Sequence, residues 1–492
     1  MAAMFLERLL DIADTHASKL AVSDHTRELN YGQLTTFARV MRDLILKESK
    51  SPRVGIMLPG SAAFAGTLFG CMWADRVAVP LNFMLHLQEL RKVTQDAGLD
   101  VIITIEHFAD LARELGVKTV FLEQAGLKRK FLFSKLKASP AVPTVENEQT
   151  AVLLYTSGTS GEPKGVELTY GNLSSNCRDC AAHAQISSDH VLLSVLPPFH
   201  VFGLTAMTLL PMWLGMTVHF IPRFNPIAAV KTIQEKQISV FMAIPSMYAA
   251  MQRVKRATPE SFKSLYLALS GGEPLQASTA EAFQDRFDVQ LNEGYGLTET
   301  SPVVSLNLPW NRLAGAVGKP LPNCEVRIID DSGSILPPDR DGEIHVRGPG
   351  IMKGYYNKAD ETAEVIDAEG WFKTGDQGRL SKDGFLSITG RIKEMLIIGG
   401  ENVFPSEIEN VLTQHPAVDE AAVIGIPDES RGEVPLAFVI LKEGQSAEEK
   451  ELRSHCRDRL ASLKVPRQVK ICDDLPRGPT GKILKRALRK LT

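Results

Sequence analysis

The sequence predicts an α/β fold: a large N-terminal region of layered, mostly parallel sheets carrying a small β-barrel-like subdomain, followed by a small α+β C-terminal domain. Three observations predict it. Up to about Asn292, short apolar runs alternate with helical patterns, the β–α alternation of layered parallel sheets. From 317 to 388, short alternating segments are split by Asp-Gly, Ser-Gly and Pro-Pro turns, the style of antiparallel β structure. After Arg391, a helix, two strands and a charged helix make a compact unit of about 100 residues, inside the usual domain range. With 492 residues and 44% hydrophobic content, the chain is too long for one simple core, and two or more domains are expected. The division falls at 1–391 and 392–492, with the β-rich part at about 317–391.

The strand-like runs of the first region are 54–58, 101–105, 151–155, 191–196, 240–244 and 265–269; helical patterns lie between them at 31–46, 225–236 and 275–287. The segment 170–183 reads as one helix. From Val201 to Ile221 there is no Asp, Glu, Lys or Arg, long enough for a membrane span. Gly203, Pro211 and Gly215 interrupt it, and Pro211 divides it into a helix-like half and a strand-like half, so buried elements of an α/β domain explain it better. The β-rich part holds strands at 325–329, 343–346 and 385–388. The last unit opens with a helix near Pro405-Ser406-Glu407, continues with strands at 421–426 and 436–441, and has a charged helix at 447–460.

Net charge is −3, which does not suggest a nucleic-acid binder. The first residues carry Glu7 and Asp11 and lack a basic start followed by an apolar core, so no secretory signal is read there and a cytoplasmic location is expected. Cys177, Cys180 and His183 resemble part of a redox or zinc site, but a structural zinc needs four ligands and no second C-x-x-C exists, so they read as ordinary helix residues. The end of the chain carries Arg477, Lys482, Lys485, Arg486, Arg489 and Lys490 without an acid: a solvated helix face, or a contact for a nucleotide or a peripheral membrane surface.

One stretch carries the most chemistry: Tyr155-Thr156-Ser157-Gly158-Thr159-Ser160-Gly161-Glu162-Pro163-Lys164-Gly165. Glycines let backbone N–H groups point into one concavity, and hydroxyls and an ammonium add donors, which suits phosphate. It is not a Walker A loop, because Pro163 stands where that pattern needs its second glycine. Further along come Gly271-Gly272-Glu273-Pro274, Gly294-Tyr295-Gly296-Leu297-Thr298-Glu299 after an apolar strand, Thr374-Gly375-Asp376, Gly390-Arg391-Ile392-Lys393, Gly399-Gly400-Glu401, and Pro479-Thr480-Gly481-Lys482. An aromatic stacks on a base, a hydroxyl meets a phosphate, a carboxylate holds Mg²⁺, and an acid after a glycine turn suits ribose hydroxyls.

In this order the motifs resemble the adenylate-forming enzymes (acyl-CoA synthetases, luciferases and peptide-synthetase adenylation domains) over nearly the whole chain. The resemblance implies a large N-terminal region and a small mobile C-terminal domain, with ATP, Mg²⁺ and CoA as co-substrates. It implies ATP/AMP contacts from Thr156, Ser157, Gly158, Thr159, Ser160, Gly161, Lys164, Gly271, Gly272, Glu273, Pro274, Gly294, Tyr295, Gly296, Thr298, Asp376 and Arg391. Tyr295 would stack on adenine, Glu299 would hold magnesium, Asp376 would meet the ribose, Lys393 would be the hinge, and Gly399, Gly400 and Glu401 would line a pantetheine tunnel. Lys482 would bridge the substrate carboxylate and the α-phosphate, lowering the repulsion of two anions.

Leu196-Pro197-Pro198-Phe199-His200-Val201-Phe202-Gly203 matches the family's substrate wall. Amino-acid-activating members keep an aspartate there; this chain has none. His200 either steers a carboxylate or is a core histidine, and Pro302 and Val303 would add apolar wall. Burying an acyl chain is worth about 0.8 kcal/mol per CH₂, so the expected substrate is a medium- or long-chain fatty acid. An aryl acid, transfer to acyl carrier protein, and a ligand-binding pseudoenzyme remain as alternatives, the last opposed by intact Lys164, Glu299, Asp376, Arg391 and Lys482. Nothing marks luciferase-type oxidation, and the chain ends Lys490-Leu491-Thr492 where a peroxisomal address would read Ser-Lys-Leu.

Overall fold

Six parallel strands form the centre of the largest sheet. A computed structural model of the chain describes residues 5–134, 138–157, 163–399, 401–428, 431–478 and 483–491. In spatial order the parallel strands are Leu291–Gly296, Leu267–Ser270, Val240–Ala243, Val191–Ser194, Thr217–Phe220 and Leu20–Ser23. Antiparallel strands Val303–Leu306 and Lys319–Pro320 extend one edge, and Glu28–Asn30 the other. The central runs are apolar at successive positions, as strands covered on both faces must be.

A second sheet of seven strands runs Gly354–Tyr355, Pro163–Thr169, Thr150–Ser157, Val77–Pro80, Arg53–Met57, Val101–Thr104 and Lys118–Phe121. Its first two pairings are antiparallel and the rest parallel. One buried core joins both sheets through helices Tyr31–Glu48 and Ala62–Trp73.

The β-rich part is a four-stranded antiparallel sheet, Glu325–Ile329, Gly342–Arg347, Phe372–Leu380 and Leu386–Arg391, around Val304, Ile328, Ile344, Val346 and Leu386. The Val317 N–H donates to the Leu386 carbonyl (2.8 Å) and Gly318 bridges to Leu386, so the barrel-like unit expected is an open sheet tied at one edge to the nine-stranded sheet. From residue 396 on, Glu401–Val403, Leu396–Ile398, Gly432–Leu441, Val418–Asp428 and Gln468–Ile471 form a five-stranded sheet. Helices Pro405–Thr413 and Glu449–Arg457 cover one face, and Leu475 and Leu488 pack on the other.

The uncharged stretch is a π-helix, Phe202–Leu209, a short α-helix, Leu210–Leu214, and a strand, Thr217–Phe220, with Gly215 turning between them at φ +79°. Among the described residues no helix is long and apolar enough to cross a membrane. Cys177 and Cys180 are buried free thiols in helix Tyr170–His183, and burial pushes both thiols up. Two of the C-terminal cations are not a solvated face: Arg477 pairs with Glu420, and Lys485 with Glu394 (2.7 Å) and Glu409 (2.9 Å).

Candidate active site

Parallel strands end on one edge, and three motifs leave that edge together. Strand Val191–Ser194 leads into 197–203, Leu267–Ser270 into Gly271-Gly272-Glu273-Pro274, and Leu291–Gly296 into Thr298 and Glu299. One expectation is corrected here: Gly294, Tyr295 and Gly296 lie on the strand itself, not after it. A Cβ at Gly296 would overlap the Pro302 carbonyl, so only glycine lets the return strand approach this closely.

The turn after Gly296 is fixed from behind. Asn176, buried in helix Tyr170–His183, donates to the Val303 carbonyl (2.8 Å) and the Thr300 carbonyl (3.3 Å) and accepts from the Val303 N–H (3.3 Å). Val303 lines a small cavity with Asn176, Asp179, Thr300 and Cys324, and Pro302 is buried. His200 sits on the other loop, its ring 5.4 Å from that of Phe199, and Phe202 packs beside Gly271.

Tyr295, Asp376 and Arg391 meet. The Tyr295 hydroxyl donates to Asp376 Oδ2 (2.6 Å), and Arg391 Nε lies 2.9 Å from Oδ1. Asp376 and Arg391 are register partners on neighbouring strands, while Tyr295 reaches across from the nine-stranded sheet. The Asp376 N–H donates to Thr374 Oγ1 (3.0 Å), and the carboxylate is almost fully buried (3% exposed). Burial, then the Asp376 charge, pushes the Tyr295 hydroxyl far above its ordinary range, so it stays a donor.

The strands that flank the glycine-rich stretch pair with each other in antiparallel. Thr156 faces Lys164 across strands Thr150–Ser157 and Pro163–Thr169, and Ser157 pairs with Pro163. Gly158, Thr159, Ser160 and Gly161 lie outside the described residues, as do Gly400 and Lys482. Lys164 forms an ion pair with Glu361 and lies 5.0 Å from the centre of the Tyr355 ring. Lys358 holds the other oxygen of Glu361 (2.7 Å), and the two ammoniums, Lys164 first, draw that carboxyl down to about 2. The Tyr355 hydroxyl donates to Glu299 Oε1 (3.0 Å), so Lys164, Tyr355 and Glu299 form one contiguous group. Burial and the Glu299 charge raise the Tyr355 hydroxyl.

In the C-terminal unit, Lys393 is exposed in the turn Ile392–Glu394. Gly399 turns at φ +61° and its N–H donates to the Arg431 carbonyl (2.8 Å), with Glu401 exposed in the same hairpin. Arg477 and Ile483, on either side of the Lys482 segment, bridge each other. Sequence reasoning missed Asn176, Tyr355, Lys358 and Glu361. Each joins the site through pairing of distant segments, such as Tyr355 with Val166, which no local pattern announces.

A glycine-walled sheet edge with a buried carboxylate, facing a hairpin that carries a lysine and hydroxyls, defines a nucleotide-dependent enzyme. The chain belongs to the AMP-binding enzyme family, whose model matches residues 10–356; the model of that family's C-terminal domain matches 407–482. It is similar to a feruloyl-CoA synthase of Amycolatopsis sp (36% identical; 89% of this chain, 88% of the relative) and to the long-chain-fatty-acid–CoA ligase of Bacillus subtilis (32%; 98% and 93%). ATP-bound MatB from Rhodopseudomonas palustris superimposes with a TM-score of 0.92 (29% identical; 100% of this chain, 99% of that one), and its apo form with 0.82 (30%; 100% and 99%). A Bacillus subtilis o-succinylbenzoate-CoA synthetase with ATP and magnesium gives 0.85 (30%; 98% and 99%). The protein is an AMP-forming acid–thiol ligase.

Proposed function

We propose that this ligase activates a carboxylic acid with an apolar body, a medium- or long-chain fatty acid, and transfers it to CoA. The observation that carries the nucleotide half is the meeting of Tyr295, Asp376 and Arg391. It sets a buried carboxylate for a ribose beside an aromatic ring for adenine. Mg²⁺ arrives with ATP. It favours oxygen ligands and keeps waters and phosphate oxygens, so the single carboxylate of Glu299 suits it; among the described residues no group of three His, Cys, Asp or Glu forms a denser site.

The substrate carboxylate attacks the α-phosphorus of ATP, giving acyl-AMP and pyrophosphate. Thr298 and the hairpin orient the phosphates, and Lys482 offsets the meeting of two anions. The CoA thiol then attacks the acyl carbonyl, giving acyl-CoA and AMP. Between the steps the small unit, 392–492, turns about Lys393 and exchanges Lys482 for the Gly399-Gly400-Glu401 hairpin. Two observations support that pivot. Lys485 ties Glu394 to the small unit, so the chain is already committed to that unit one residue after Lys393. The better match to ATP-bound than to apo MatB fits a molecule with more than one domain arrangement.

The wall around Phe199, His200 and Phe202 carries no acid, which supports an uncharged substrate body, with His200 toward the carboxylate. A second reading, an aryl acid, is favoured by the 36% identity to a feruloyl-CoA synthase. Pyrophosphate release across a panel of fatty and aryl acids tests the proposal: fatty acids of eight or more carbons should turn over best, and a clear preference for cinnamate-like acids would replace the first reading by the second. A thiol assay with CoA against acyl carrier protein decides the acceptor. The six free cysteines suit a reducing, cytoplasmic setting for this chemistry.

A further inference from the structure

We infer that helix Leu127–Ser134 docks this enzyme on an anionic lipid bilayer. Leu127 and Phe131, four residues apart, pack against the main core, so the helix is anchored from beneath. Its next two apolar side chains turn to water: Leu132 is 66% exposed and Phe133 49%. Lys128, Arg129 and Lys130 are exposed on the same helix, and the Arg129 guanidinium lies 5.6 Å from the centre of the Phe133 ring. The net charge of the whole chain is −3, so these three cations stand beside two large apolar groups against the sign of the whole.

That combination fits a bilayer surface. Cations at headgroup depth are drawn to anionic lipid, and apolar side chains enter the acyl boundary. A nucleic acid would use the cations but leave Leu132 without a partner. The helix follows Lys118–Phe121, the edge strand of the seven-stranded sheet, and three strands separate that edge from the phosphate hairpin. A docked enzyme therefore keeps its catalytic edge clear, and apolar acids partition into the same surface it rests on. The inference does not depend on which acid is the substrate.

The test is co-sedimentation of the full chain with vesicles of phosphatidylcholine alone or with added phosphatidylglycerol. Binding is expected only with the anionic lipid. Replacing Lys128, Arg129 and Lys130 together by Ala should lower the partition coefficient about a hundredfold, the effect of about three surface cations. Leu132→Glu with Phe133→Glu should lower it at least about tenfold while leaving heparin binding in place. Both variants should adenylate a short, water-soluble acid at the parent rate, which shows that they fold. Equal binding by parent and variants, equal binding to neutral vesicles, or heparin binding without vesicle binding would each overturn the proposal; the last would leave a polyanion site in its place.

Discussion

The nucleotide wall and the C-terminal unit hold their functional groups in opposite ways. In the wall, Asp376 is buried and held by Tyr295 and Arg391, Glu299 is held by Tyr355, and the turn behind them is fixed by Asn176. In the C-terminal unit, Lys393, Gly399 and Glu401 are exposed, and among the described residues the unit meets the rest through Arg253 with Asp419 (2.7 Å), the Ser406 hydroxyl on the Thr389 carbonyl (2.7 Å) and Phe404 packed on Gly390, among other contacts. On the proposed function, the site that binds one nucleotide through both half-reactions is built on sheets, where rotamers are locked by packing. On the proposed mechanism, groups needed in only one half-reaction sit on the unit that turns. The difference is one of preorganisation, and it can be broken from either side.

The largest effect should come from the C-terminal unit. Lys482→Ala should slow acyl-AMP formation by about 10²-fold or more, the scale of losing one electrostatic stabiliser, and leave thioester formation from supplied acyl-AMP largely intact. Equal loss in both half-reactions would remove Lys482 from its proposed role. Lys393→Pro fixes φ near about −65° and removes a backbone N–H, so it should separate the two rates, with adenylation better kept. If a folded variant loses both by the same factor, the contrast between fixed wall and moving unit fails.

The fixed side carries a cost in stability. Glu293, one residue before Gly294, is half-buried, and that burial raises its carboxyl to about 7, although the Leu275 N–H donates to it (3.1 Å) and opposes the shift. The unfolded chain releases this proton near the ordinary glutamate value, whereas the folded chain keeps it until about pH 7. The associated stability is therefore full below the unfolded value and lost as pH rises through about 7, a change of up to about 3 kcal/mol. Thermal unfolding at pH 5.5 and 8.5 should show the parent losing stability at the higher pH and Glu293→Gln losing much less. An identical pH dependence in both would mean that Glu293 is more solvated than its position implies.

Much of this contrast was legible in the sequence, for a physical reason. Apolar runs such as those in Val240–Ala243 and Val101–Thr104 are buried on both faces, and burial writes itself into composition. Glycine-rich motifs also show, because close backbone approach admits little else, as at Gly296. The strands Pro163–Thr169 and Phe372–Leu380 stayed hidden because they carry Lys, Glu, Asp and Arg among few apolar residues. Tyr355, Lys358 and Glu361 look like ordinary surface residues; only the pairing of Gly354–Tyr355 with the hairpin strand brings them to Lys164. The expected position of the Gly294 motif, after a strand, missed because two glycines read as a turn while the ladder to Val303–Leu306 keeps them extended.

Tyr355→Phe tests the fixed side more gently. It removes one hydrogen bond to the Glu299 carboxylate and keeps the ring under Lys164. A hydrogen bond to a charged group is worth about 1.5 kcal/mol, so the Mg²⁺ concentration for half-maximal pyrophosphate release should rise about tenfold. An unchanged magnesium titration would mean that Glu299 does not depend on Tyr355 for its position.

The smallest expected effect concerns the boundary between the two styles, the phosphate hairpin. Its lysine is neither buried nor loose: Lys164 rests on Glu361, which also holds Lys358, and all three side chains are about a quarter to a third exposed (23%, 33% and 31%). On the proposed role of Lys164, ATP phosphates and the Glu361 carboxylate compete for the same ammonium. If Glu361 only occupies Lys164 until the nucleotide arrives, Glu361→Gln should lower the KM for ATP about threefold, the scale of one partly exposed ion pair after solvent screening. If Glu361 is instead a strut that aims Lys164, the same variant should raise that KM, and the hairpin belongs with the preorganised wall. Because the carboxyl lies near 2, it stays ionised across the working range, and the sign of the effect should not change between pH 6 and 9. Measuring ATP dependence of pyrophosphate release for Glu361→Gln at both pH values, beside Lys164→Ala as the reference for complete loss of the ammonium, decides between the two.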